Sequence, residues 1–172
     1  MITGGPVKSG HCIVGADLEE IIPNAMAERF QRAAAVAEAI SWIGTRWEHR
    51  CRAKGSGVDC AMLIAEVFER AGVVAHFDAP EYAHDAHLHR DAELLQAEIE
   101  RLAVRRQDGE EPRPGDVVLF RYGRALSHAA IVVAWPRVVH AQIRQGVILD
   151  DVQANADLSG RLAGAWNPWG ER

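Results

Sequence analysis

Apolar residues recur along this chain with two periods, and the change between them divides the sequence. From Asn24 to Ile43 the chain is rich in alanine, and Phe30, Ala33, Ala37 and Ile40 follow helical spacing. Asn24 suits an N-cap and Gly44 a stop, so a helix is predicted between them. The clearest period follows. Cys60, Leu63, Ile64, Val67, Phe68 and Ala71 fall on one helical face, with Glu66, Glu69 and Arg70 on the other. Asp59 caps this helix and Gly72 ends it. A third amphipathic helix is predicted from Asp85 to Ala103, carried by Leu88, Ala92, Leu95, Ile99 and Leu102. Beyond the Gly109–Gly115 turn the pattern becomes that of short strands. They are Asp116–Arg121, His128–Ala134, Arg137–Ala141, Val147–Asp151 and Arg161–Trp166. Helices first and strands second predict an α+β fold, with N-terminal helices packed on a small antiparallel sheet. Residues 1–22 show no period and read as an irregular N-terminal arm. Residues 23–172 then form a single domain.

Composition narrows the function classes. A chain of 172 residues with 48% hydrophobic and 25% charged residues has the make-up of one globular domain. The longest apolar runs fall well short of the roughly 18 residues of a membrane span. The first 22 residues lack a basic start followed by an apolar block, so no secretory leader is expected. Synthesis in the cytoplasm with later delivery elsewhere fits that reading. The net charge of −5 argues against a broad nucleic-acid footprint. Three cysteines cannot all pair within the chain, and their spacing contains no CxxC.

The odd cysteine count draws attention to Cys60. It is the first residue after a predicted N-cap, where free amide hydrogens and the helix dipole favour thiolate. The same amides suit the oxyanion of a tetrahedral intermediate. The plain alternative is a small hydrophobe on the core face. A cysteine nucleophile needs a base, and the base an orienting group. His128 and His140 lie in two strand-like segments joined by a short connection, so antiparallel pairing brings them near each other. On this reading His128 faces Cys60 and His140 holds the His128 ring.

Other residues carry weaker signals. Asp59 suits a helix cap. His84, His87 and His89 cluster with Tyr82 and Asp85, but no second cluster supplies further metal ligands. No metal is therefore expected there, and a mechanism with Cys60 as nucleophile requires no metal or organic cofactor. Trp47, Trp166 and Trp169 suit either a carbohydrate platform or a core and rim role. The basic residues Arg46, Arg50, Arg52 and Lys54 suit either anion attraction or solvated loop charge.

Five segments in order carry a family resemblance. They are Gly44-Thr-Arg-Trp47, Gly57-Val-Asp59-Cys60-Ala-Met-Leu63, Arg113-Pro-Gly-Asp116-Val-Val-Leu-Phe120, Ser127-His128-Ala-Ala-Ile-Val and Val139-His140-Ala. Together with Arg161-Leu-Ala-Gly-Ala-Trp-Asn-Pro168, the chain over about residues 30–168 resembles the NlpC cell-wall peptidases, especially phage-associated members. The resemblance implies a circularly permuted papain-like core. It also implies a cysteine peptidase in which Cys60 is nucleophile, His128 base and His140 the third polar residue. Peptidoglycan stem peptides are the implied substrate, cut between D-Glu and a diamino acid. Trp47, Asp59, Ser127, Tyr82 and His87 are the implied substrate contacts, the stretch from Tyr82 resembling an insert that roofs the cleft. Two positions depart from the family pattern. An indole, Trp47, stands where a phenol is usual, and Ala61-Met62 stands where Ser-Gly is common. An assembly module that binds cell wall or phage tail proteins on the same fold is the alternative, as is a papain-like hydrolase of another amide or ester.

Overall fold

The computed structural model describes residues 16–76 and 94–170, with side chains from Asn24 onward. The first helix begins earlier than its sequence signals. α1 runs from Ala16 to Ser41, so residues 16–22 are helical rather than part of an irregular arm. Pro23 is no boundary, because a proline removes one helical donor without always ending the helix. The inward face also differs from the large-residue stripe. Ala35, Ala39 and Trp42 are fully buried, whereas Phe30 is 71% and Ile40 44% exposed. Charged side chains on the flanks of the alanine face secure it. Arg32 reaches Asp116, and Glu38 accepts from Trp42 and Lys54.

The stretch after α1, expected as loop, contains a small hairpin of β1 (Arg52–Ala53) and β2 (Gly57–Val58). The strands are two residues long, too short for a periodic signal. α2 (Cys60–Arg70) follows with Asp59 as N-cap, as its pattern predicts. Glu66, expected on the outer face, is buried and pairs with Arg52 and Arg70. Arg52 also pairs with Glu69, and Lys54 with Glu38, so these loop cations serve internal ion pairs. The helix expected from Asp85 is described from α3 (Leu94–Leu102) onward, and residues 85–93 lie outside the described residues. No helix among the described residues is long and apolar enough to cross a membrane.

The sheet follows the predicted order. After β3 (Val104–Arg105) come β4 (Val117–Tyr122), β5 (Ala125–Ala134), β6 (Arg137–Gln142) and β7 (Gly146–Asp151). A short helix, α4 (Ala156–Ser159), precedes β8 (Leu162–Asn167). Six antiparallel strands lie in the order β3-β8-β4-β5-β6-β7. This is the α+β architecture expected, with the central strands buried on both faces. Val117, Leu119, Ala129, Ile131 and Val139 meet the helices in the main core. Val118, Phe120, Ala130, Val132 and Val138 meet Val152 and Leu158 in a second core on the other face. The alternation follows from the period of two along each strand.

Candidate active site

Asp59 organises the start of α2. Its Oδ1 accepts the Met62 amide at 3.0 Å and its Oδ2 the Arg50 amide at 2.7 Å. His49 Nδ1 stands 3.5 Å from the same Oδ2. The buried carboxylate therefore caps the helix and ties the preceding loop to it. Trp47 lies on that loop, half-buried, bridged to Val58 and stacked at 6.4 Å on His49.

Cys60 follows as the first helical residue. Its Sγ faces the Ser127 carbonyl at 4.0 Å, and the backbone N–H groups of Ala129, Ala61 and Cys60 itself act to favour its thiolate. The sulfur thus meets β5 at Ser127, the residue before His128. Ser127 contributes its carbonyl here and is half-buried.

His128 and His140 come together directly. The β5–β6 register, with Ile131 opposite Val139, makes them a diagonal pair on one sheet face. His128 Nε2 and His140 Nδ1 are 2.8 Å apart. Phe120 lies opposite His128 in the β4–β5 ladder, so this face is that of the second core. Cys60 instead packs against the main core. The two histidines share the sheet face of the second core. His128 lies near the start of β5, next to Ser127, whose carbonyl the Cys60 sulfur faces. Tyr122 borders the same histidine: its ring meets the His128 ring edge-on at 5.9 Å.

Electrostatics set the resting protonation. Burial pushes the Cys60 thiol up to about 12, and the Asp59 carboxylate adds to this. The surrounding N–H donors work the other way and are outweighed. The helix terminus favours thiolate; desolvation and the capping carboxylate oppose it. Burial, with His140 beside it, pushes His128 down to about 3. Burial also lowers His140, against the opposing pull of Asp150. Both shifts favour the neutral forms, thiol and imidazole. His128 spends Nε2 on His140, which leaves Nδ1 as the nitrogen free for a thiol proton.

Tyr82 and His87, with His84 and His89, lie outside the described residues. Among the described residues no group of three His, Cys, Asp or Glu is arranged to hold a metal. Sequence reasoning missed Tyr122, Phe120 and Asp150. The β6–β7 hairpin carries the signal for Asp150, since a period of two puts it on the face of His140.

The comparisons with known proteins agree with this architecture. Residues 41–161 match the NlpC/P60 family model. No curated protein sequence gives a match. Among solved structures, the chain is similar to a lipoprotein-like NLP/P60 protein of Staphylococcus aureus, at 21% identity and a TM-score of 0.56 over 82% of this chain and 42% of that one. It is similar to an NlpC/P60 family protein of Bacillus cereus, at 14% identity and a TM-score of 0.60 over 81% of this chain and 40% of that one. It also resembles the peptidoglycan hydrolase RipB of Mycobacterium tuberculosis, at 17% identity and a TM-score of 0.56 over 93% of this chain and 74% of that one. The chain spans less than half the length of the S. aureus and B. cereus proteins. With most of its length matched and its helices and sheet in the family's arrangement, the chain belongs to the NlpC/P60 family.

Proposed function

We propose that this chain is a cysteine endopeptidase that hydrolyses an amide bond of peptidoglycan stem peptides, between D-Glu and a diamino acid. Cys60 is the nucleophile, His128 the general base and His140 the residue that orients it. The observation that carries the reading is the 4.0 Å approach of the Cys60 sulfur to β5, beside a histidine already engaged by a second histidine. The family match and the likeness to the peptidoglycan hydrolase RipB support peptidoglycan as the substrate.

His128 Nδ1 takes the thiol proton as the sulfur attacks the carbonyl carbon. Burial favours the neutral forms of both groups, so the proton moves with the attack. The oxyanion meets the first-turn amides of α2. The Met62 amide already serves Asp59, which leaves those of Cys60 and Ala61. Collapse breaks the C–N bond, and His128 protonates the leaving amine. Water, deprotonated by His128, then hydrolyses the thioester and restores the thiol. Trp47 and Ser127 border the nucleophile and contact substrate, with Tyr82 and His87 as further contacts. Both oxygens of Asp59 accept backbone amides, so its first task is the cap.

Digestion of purified cell-wall sacculi by wild type and Cys60→Ala tests the assignment. Wild type releases fragments with a new diamino-acid amino group, and Cys60→Ala, equally well folded, releases none. Fragments from Cys60→Ala would remove Cys60 from the mechanism. A binding or assembly role, in a phage particle or at the wall, is the second reading. The departures from the family pattern at Trp47 and Ala61 favour it. It predicts no fragments from either protein and retained binding by both.

A further inference from the structure

We propose that Asp150 is a positioning residue of this site. It holds the Nε2–H of His140 and so selects the ring tautomers that leave His128 Nδ1 bare for the Cys60 proton. This rests on the assignment of His128 as the base.

The β6–β7 register sets His140 opposite Ile148 and Val138 opposite Asp150. Asp150 is thus diagonal to His140 on the same sheet face. Its Oδ2 stands 3.5 Å from His140 Nε2. His140 is only 1% exposed, and its Nε2 makes no hydrogen bond within the described residues. A buried N–H without an acceptor is costly, and this carboxylate is the acceptor within reach.

The tautomers then follow in sequence. With its proton on Nε2, His140 has a bare Nδ1, which accepts a hydrogen bond. His128 must donate that bond from Nε2, so its own Nδ1 is bare and able to take a proton. The opposite arrangement sets a bare Nε2 against a carboxylate, two acceptors facing each other. It also loads His128 Nδ1 with a proton, which removes the base. One carboxylate thereby sets both rings.

Asp150 is itself held in place. Its Oδ1 accepts the Asp151 amide at 2.7 Å, and Asn155 Nδ2 donates to Oδ2 at 2.8 Å. Asn155 also caps α4, its Oδ1 accepting the amides of Asp157 and Leu158. The short helix α4, absent from the sequence prediction, anchors the asparagine that steadies the carboxylate.

Ring-nitrogen NMR of histidine-labelled protein, with kcat and KM on a stem peptide, tests this in wild type, Asp150→Ala and Asp150→Asn. Wild type should carry protons on Nε2 of both His140 and His128. Asp150→Ala should mix the tautomers at both rings and lower kcat roughly tenfold to a hundredfold with KM unchanged, the loss typical of an outer partner of a functional histidine. Asp150→Asn keeps an acceptor and should recover most of the loss. If Asp150→Ala fails to fold, the wild-type spectrum and the milder Asn155→Ala variant decide. A wild-type proton on His140 Nδ1 would overturn the proposal. So would a fall in kcat with both tautomers unchanged. The failure of the peptidase reading is separate: it shows as cleavage by Cys60→Ala and leaves the ring tautomers as they are.

Discussion

At the residue scale, the site separates reactivity from rest. A helix N-terminus favours thiolate, but burial and the Asp59 cap push Cys60 up to about 12. An ordinary cysteine titrates near 8.5. The free protein should therefore alkylate slowly at Cys60 at neutral pH, with the rate climbing only under strongly alkaline conditions. Iodoacetamide labelling read by peptide mass checks this. A fast phase below pH 7 that vanishes in His128→Ala would mean a standing thiolate–imidazolium pair instead. The sequence made Cys60, His128 and His140 legible because a cap signal and two strand patterns are local features. The sign of the thiol shift was not legible, since it depends on how much water the folded chain excludes. Asp150 was missed because its part depends on hairpin register, which the turn after Gln142 sets.

At the element scale, the β6–β7 hairpin holds the loop that carries Trp47. Gly44 donates to the Val147 carbonyl at 2.9 Å, and Val147 donates to the Thr45 carbonyl at 2.8 Å. Gly146 makes this approach possible. Its φ is +80°, and a Cβ there would strike the Thr45 carbonyl oxygen, which is backbone and cannot swing away. Gly146→Ala should cost about 1–3 kcal/mol of stability, measurable by urea denaturation. A change within about 0.5 kcal/mol, the scale of neutral surface substitutions, would mean the loop yields freely. The longer strands were readable from alternation, and α2 from its stripe and cap. β1, β2 and β3 were not, because two-residue strands have no period to read. The inward face of α1 was hidden as well. It is made of alanines flanked by charged residues whose partners lie far along the chain.

At the scale of the whole molecule, a buried carboxylate joins the helical layer to the sheet. Asp116 is fully buried just before β4. Arg32 of α1 donates to it at 2.9 Å, to the Pro114 carbonyl at 2.7 Å and to Asn167 at 2.7 Å. The Arg32 guanidinium also lies 4.2 Å from the Trp169 ring centroid. Arg106 serves the same carboxylate from the other side. Arg32→Ala leaves Arg106 in place, so the expected loss is about 2–4 kcal/mol, at or below the range for breaking a buried pair. Thermal unfolding measures it, and a loss under about 1 kcal/mol would show the pair to behave like a surface contact.

The central claim is that Cys60, served by His128, attacks a stem-peptide carbonyl. The most direct test is a chloromethyl ketone built on L-Ala-γ-D-Glu, with the labelled cysteine identified by peptide mass. The account predicts labelling of Cys60 ahead of Cys12 and Cys51, slowed by His128→Ala and blocked by excess stem peptide. Equal labelling of all three cysteines, or a Cys60 rate unchanged by His128→Ala, would contradict it.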